Sequence, residues 1–326
     1  MQKILEVEKL NFSLEGKRII SNISLEVESH KILGLLGESG SGKSTLLKLI
    51  AGFLNPDSGK LEIEGQPIDP PSEKLIPGHP KIKMVRQDNP LFPNISLREN
   101  IAYELRFFNK DYQNERVNKL LKLTRLDKVA EQLPRHSSEG EQQRTAIARA
   151  LADEPSLLLL DEPFSNLDYK NKNRLKKEIR DIISEEEIAC IFVTHDISDV
   201  FGVADELSIL KKGKISQQGR PITVYKEPKT EYEAGLTGDY TIVSKIDAKR
   251  FLGKKIKTNK ILIRPENIEL SPNGKVEAEV ISLLNRGYIN ECTLQIEELK
   301  LKVFTMEDLS LGQKVNIDVM EFTELK

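Results

Sequence analysis

The sequence predicts an α/β fold: a domain built on a parallel sheet with a helical insertion, followed by a small all-β barrel. Three observations carry the prediction. Short β-type runs alternate with helical ones through about residue 210, the pattern of a sheet whose strands are joined by crossover helices. Residues 97–152 instead keep a helical character, broken at LPRHSS. From about residue 241 apolar residues alternate with period two, in short runs separated by turn signals, as a small barrel requires. A chain of 326 residues suffices for two domains, each with its own core.

Taken in order, KILGLLG (31–37) reads as a buried strand and STLLKLIAGFL (44–54) as the helix after it. KLEIEG (60–65) and KIKMVRQ (81–87) are further strands. Between them, PIDPPSEKLIPGHP (67–80) is rich in proline and reads as a rigid surface excursion, with His79 a plain loop residue. The helical insertion occupies about 90–152. LLLLDE (157–162) and ACIFVTH (189–195) are continuous apolar runs suited to the centre of a parallel sheet. The prolines and glycines of PITVYKEPKTEYEAGLTGDY (221–240) then interrupt the pattern, which places a boundary near residue 238 and domains at 1–238 and 239–326. ILIRPENIELS, KVEAEVISLL, ECTLQIEELKLKVF and KVNIDVMEF supply the strands of the second domain, with a turn at SPNG (271–274).

Composition removes several classes of function. Charged residues make up 31%, but they nearly cancel to a net charge of -2, so a domain-wide basic surface for nucleic acid is not expected. Cys190 and Cys292 lie far apart in apolar stretches, which argues against a disulfide framework and for a reducing cytoplasm. The N-terminal stretch carries acids within its apolar pattern and has no signal-peptide core. Runs such as SLLLLDEP are too short to span a bilayer, so any membrane crossing is left to another chain.

The chemistry is concentrated in GESGSGKST, comprising Gly37, Glu38, Ser39, Gly40, Ser41, Gly42, Lys43, Ser44 and Thr45. It fits G-x-x-x-x-G-K-[ST] between a strand and a helix, where successive N–H groups and the helix N-terminus form an anion nest. Lys43 is expected to reach β- and γ-phosphates, and Ser44 to place its hydroxyl on Mg²⁺. Asp161, at the end of a buried strand, is the expected second carrier of that ion, which retains several waters. Glu162 beside it is placed to accept a proton from an attacking water.

With these pieces, residues 1 to about 240 resemble the ATP-binding subunit of ATP-binding-cassette (ABC) transporters, a P-loop NTPase cassette. The resemblance implies ATP and Mg²⁺ as ligands, and it gives further residues their roles. Phe12 matches the aromatic position that stacks on adenine, while a core aromatic explains the same letter. Gln87 matches the glutamine loop that senses Mg²⁺ and water, making Ser44, Gln87 and Asp161 the metal-side residues. SNLD (165–168), with Asn166 where alanine is common, matches the loop that crosses a dimer interface. His195 matches the switch histidine, so the catalytic set is Glu162, His195 and Gln87. SSEGE (137–141) occupies the signature position: Ser138 and Gly140 match, while Ser137, Glu139 and Glu141 replace Leu, Gly and Gln. A glutamate beside a phosphate costs free energy, so a functional but weakened signature is expected, with Glu139 the residue responsible.

The same resemblance implies a homodimer of ATPase subunits, transmembrane permease subunits and an external solute-binding protein, with no nucleic acid. The chain would sit at the cytoplasmic face of the membrane through its permease. Coupling contacts are implied at about 87–110. There LFPNISLRENI reads either as such a contact or as an ordinary helix start capped by Ser96. ILIRPENIELS (261–271) resembles the opening of the transport-associated OB (TOBE) domain of importers for ferric iron, polyamines, sulfate, thiamine and sugars. Alternatives are a soluble cassette ATPase acting on nucleic acid or ribosomes, and a weakly hydrolysing nucleotide-dependent scaffold.

Overall fold

The computed structural model describes residues 2–325 apart from 76, 89, 166 and 253–255, and it divides into two compact units, Met1–Pro221 and Ile222–Lys326. The first opens with a hairpin of β1 (Lys3–Leu14) and β2 (Lys17–Glu28), followed by β3 (Ile32–Leu36) and α1 (Lys43–Ile50). β4 (Ser58–Ile63) and the short β5 (Gln66–Pro67) complete an antiparallel sheet in the order β2-β1-β4-β5. The proline-rich excursion returns to the protein, since Gly78 N–H donates to Gly52 O at 3.1 Å and Ile68 packs on the core.

β6 (Ile82–Val85) precedes the helical insertion, which consists of α2 (Leu97–Ala102), α3 (Lys110–Leu123) and α4 (Glu139–Leu151). Ser96 does start a capped helix: its hydroxyl accepts the Glu99 N–H and the Glu99 carboxylate accepts the Ser96 N–H, a capping box. The chain continues through β7 (Leu157–Asp161), α5 (Tyr169–Glu185), β8 (Ala189–Thr194), α6 (Ile197–Val200), β9 (Glu206–Lys211) and β10 (Lys214–Gly219). The second sheet runs β10-β9-β3-β8-β7-β6, parallel from β9 to β6 with β10 antiparallel at one edge. Every residue of β3 and β8 is buried, as expected of strands covered on both faces. Register pairs Leu36 with Thr194 and Asp161 with Val193, so β3, β7 and β8 deliver their following loops to one edge of the sheet, where such folds bind ligands.

Two helices fix what surrounds that edge. In α5, Leu175, Ile179, Ile182 and Ile183 are buried, an apolar stripe at helical spacing, and Asp168 caps its start by accepting the Asn171 N–H at 2.9 Å. α4 is held at its far end by Arg116 of α3. That guanidinium donates to Leu151 O at 2.7 Å and pairs with Glu186 at 2.5 Å, both side chains almost fully buried.

The second unit, from Ile222, takes in all but the first residue of α7 (Pro221–Lys226) and the whole of α8 (Glu231–Thr237). The sequence places the boundary after both helices because nothing local marks the residue that retains them. Arg264, 3% exposed, donates to Tyr225 O, Ala234 O, Asp239 O and Thr237 Oγ1 at 2.8–3.1 Å, and its guanidinium lies 4.2 Å from the Tyr225 ring centroid. Next come β11 (Thr241–Ser244), α9 (Lys245–Leu252), β12 (Lys260–Ile263), β13 (Ile268–Leu270), β14 (Val276–Asn285), β15 (Asn290–Ile296), β16 (Leu299–Thr305), β17 (Lys314–Val319) and β18 (Thr323–Leu325). They form two antiparallel sheets, β11-β12-β18 and β13-β17-β14-β15-β16. β13 and β16 touch although they are opposite ends of the larger sheet, so it curls on itself around Val280, Cys292, Leu294, Val303 and Ile317, as an OB-like domain does.

Candidate active site

The loop between β3 and α1 is shaped from behind by the β9–β10 hairpin. A Cβ on Gly37 would lie 2.5 Å from Leu210 O, so only glycine fits there. Ser41 O accepts the Gly213 N–H at 2.9 Å, and Gly213 O in turn accepts the Ser21 N–H of β2 at 2.8 Å. Gly213 itself tolerates no side chain, because a Cβ would lie 2.1 Å from Ile19 O. Gly40 and Gly42 take positive φ of 77° and 106°, turning the chain into α1 with Gly42 as its N-cap.

Inside this loop Lys43 is 5% exposed, and its Nζ donates to Gly37 O at 2.7 Å and Glu38 O at 3.0 Å. Burial pushes the Lys43 ammonium below the usual lysine range, while Glu162 and Asp161 oppose that shift. The Ser41 hydroxyl is buried without a hydrogen-bond partner. A buried cation satisfied by its own loop carbonyls, beside an orphan hydroxyl, is a cradle suited to an anion. Glu38, Ser39 and Gly40 form the loop's rim, and Ser44 and Thr45 open α1.

Ser44 Oγ donates to Asp161 Oδ1 at 3.0 Å across a separation of 117 residues. Burial raises the Asp161 carboxyl, the Ser44 hydrogen bond lowers it and the neighbouring Glu162 raises it further. Asp161 also lines, with Gln87, Lys48, Phe53, Met84 and Arg86, an open cleft of about 910 Å³. Asp161 and Gln87 line that cleft and Ser44 is bonded to Asp161; hydroxyl, carboxylate and amide oxygens are the donor types a hard divalent cation prefers. Glu162 adopts φ 49°, a conformation that non-glycine residues avoid and that clusters at functional sites. Its Oε2 lies 3.5 Å from His195 Nδ1. Its carbonyl accepts the Ser165 hydroxyl at 3.1 Å, and Ser165 Oγ accepts from Gln87 Nε2 at 3.3 Å. Gln87, Ser165, Glu162 and His195 thus form one connected rim, although they come from three segments.

Three expectations need revision or completion. Phe12 is 8% exposed and packs in the core beneath the first sheet, so its ring offers no free face to a base. The exposed apolar side chain of β1 is Leu14, at 57%. Asn166 lies outside the described residues. Ser138 and Gly140 stand apart from the cradle, at the start of α4. There the Ser138 N–H and hydroxyl both donate to Glu141 Oε2 at 2.8 Å, and Glu141 N–H donates back to Ser138 Oγ at 3.4 Å. Glu139, expected to weaken the signature, is exposed at the first helical position. The acid that occupies Ser138 is Glu141. Its spacing, S-x-x-E before a helix, is a capping-box signal present in the sequence.

The ABC transporter family matches residues 20–165 of the chain. A curated relative from Yersinia pestis, named Fe(3+) ions import ATP-binding protein FbpC, is 34% identical over 97% of both chains. One from Pectobacterium atrosepticum, named Fe(3+) ions import ATP-binding protein FbpC 2, is 33% identical with the same coverage. Among solved structures, cbiO1 from Clostridium perfringens, described as part of the ABC transporter complex cbiONQ, superposes with a TM-score of 0.65 at 30% identity. That match covers 69% of this chain and 91% of cbiO1. Near-complete alignment to two such relatives, over a cradle folded as the motif requires, means that the chain belongs to the ABC transporter family as an ATP-binding, ATP-hydrolysing subunit.

Proposed function

We propose that the chain is one protomer of a homodimer that hydrolyses ATP with Mg²⁺ at the cradle described above. It energises uptake of ferric iron through transmembrane permease subunits supplied by an external solute-binding protein. The observation that carries the site is the convergence of the Ser41 orphan hydroxyl, the buried Lys43 and the Ser44–Asp161 pair. The names of the FbpC relatives support ferric iron among the importer classes. No helix among the described residues is long and apolar enough to cross a membrane, which suits a subunit docked on the cytoplasmic face. The cleft beside Gln87, with the half-exposed Phe53 in its wall, is the proposed seat of the permease.

In this reading the loop N–H groups and Lys43 take the phosphates. Lys43 exchanges two carbonyl partners for phosphate oxygens, which are stronger acceptors. Leu14 meets the base. Ser44, Asp161 and Gln87 hold Mg²⁺, which when bound would neutralise charge developing on the β- and γ-phosphate oxygens. Glu162 orients a water and accepts its proton, and His195 contacts the γ-phosphate from the other side of the rim. Ser138 and Gly140 close the site from the partner protomer. A Cβ on Gly140 would meet Arg144 Nη1 at an ordinary 3.5 Å, so nothing within one protomer demands glycine there. A phosphate approaching from outside would.

Glu162→Gln tests the reading. With Mg-ATP the variant is expected to lose turnover by about 10²-fold or more and to accumulate as a dimer in sedimentation velocity. A variant that stays monomeric while binding ATP would remove the sandwich.

A further inference from the structure

His195 is 56% exposed on its side chain, so packing does little to aim its ring. Its direction is set by the backbone on either side, and both neighbours are tied to a buried cluster. Thr194, 3% exposed, donates its hydroxyl to Asp199 Oδ2 at 2.8 Å and accepts the Asp196 N–H at 3.0 Å. Asp196 accepts the Ser198 N–H at 2.8 Å through Oδ1 and meets Lys172 Nζ at 3.2 Å through Oδ2. Lys172 also lies 2.7 Å from Asp199 Oδ1, with 18% and 4% of the two side chains exposed. One turn further along α5, Lys176 Nζ stands 3.6 Å from the same Asp199 oxygen and donates to Ser198 O. Two lysines of α5 therefore grip two aspartates of the segment that carries His195. Asp196 directly follows His195, but Lys172, Lys176 and Asp199 lie outside the motifs that identify the site.

We propose that Lys172, acting through Asp196 and the buried Asp199, is a positioning residue that fixes the angle at which His195 faces the terminal phosphate. The inference rests on the role given to His195 above. Balanced charge is part of the argument: an uncompensated carboxylate as buried as Asp199 is costly, so the pair holds one geometry where a lone threonine hydrogen bond would leave latitude. Placement is the other part, because Lys172 lies in the first turn of α5, directly after the Asp168 cap that ends the SNLD loop. Any shift of that loop on dimer closure would reach His195 through this lysine.

The test uses the full chain and steady-state ATP hydrolysis. Lys172→Met is expected to lower kcat by about 10-fold, since misplacing a reacting group by an ångström costs up to ~10²-fold. KM for ATP should change by less than about twofold, because no group that binds ground-state nucleotide is removed. Lys172→Arg, which keeps the charge, should restore most of the rate. The decisive comparison is His195→Ala against His195→Ala/Lys172→Met: if the lysine acts through the histidine, the second substitution adds nothing to the first. Losses that multiply in the double variant would overturn the proposal. So would a Lys172→Met loss that disappears once rates are corrected for folded fraction by circular dichroism. A His195→Ala chain turning over at the wild-type rate would instead overturn the role of the histidine itself, and the clamp with it.

Discussion

At Ser138 a hydroxyl assigned to a phosphate is already held by a carboxylate of its own helix turn. A charged acceptor makes a stronger bond than a neutral one, so in the proposed dimer a nucleotide held between protomers would have to displace Glu141. Glu141→Gln keeps a cap acceptor while removing the charge, and is expected to lower KM for ATP about fivefold, the equivalent of about 1 kcal/mol for one hydrogen bond. Glu139→Gly, at an exposed position, should change it by less than about twofold. Steady-state hydrolysis across ATP concentrations checks the order, and the reverse ranking would return the effect to Glu139. Asp161 gives a second residue-scale prediction. Its carboxyl is raised in the fold, chiefly by burial, so the folded chain holds this proton more tightly than the unfolded one. The stability this gives is present below the ordinary carboxylate range and is lost as pH rises through the folded value. Asp161→Asn should therefore abolish hydrolysis yet melt higher than the native chain at pH 7, with the difference closing in acid. Calorimetry at the two pH values checks this. The residues of the cradle were legible in the sequence because they are contiguous. Of the two readings open for Phe12 the structure matches the core aromatic; the register is irregular on each side of it in β1, which no local pattern records. The partnership of Lys172 with Asp199 was invisible because it exists only after α5 packs on the sheet.

At the scale of elements, the parallel strands could be read directly: unbroken apolar runs such as LLLL and ACIFVT mark burial on both faces. The helical insertion was equally plain as a block, but its anchorage was not. Arg116 joins the C-terminal carbonyls of α4 to Glu186 just beyond α5. Glu186 is held below the usual carboxylate range: burial acts to raise it, and the hydrogen bonds from Arg116 and Lys119 prevail. Removing one member of so buried a pair leaves the other uncompensated, a loss of about 3–5 kcal/mol. Arg116→Met should lose that much in urea denaturation, and Arg116→Met/Glu186→Met should recover most of it. Equal losses in the single and double variants would show that the arginine acts through the helix carbonyls alone.

At the scale of the molecule, we propose the domain division at the start of α7 and assign both α7 and α8 to the TOBE-like unit through Arg264. A fragment beginning at Ile222 is expected to unfold cooperatively in urea. One beginning at Asp239 should lose that transition, because a buried guanidinium would be left without three of its four acceptors. Circular dichroism of the two fragments decides it. The interruption at 221–240 was visible as prolines and glycines, but the bonds that tie it to the second unit come from a side chain 25 to 39 residues downstream of its partners.

The turn at Gly213 has a wider consequence. It is a keystone: the phosphate loop leans on it from one side and the first hairpin from the other. Inserting a single residue between Lys211 and Lys214 would leave every letter of GESGSGKST untouched and still spoil the pocket. The contour that receives a nucleotide is cast by a bend about 170 positions away.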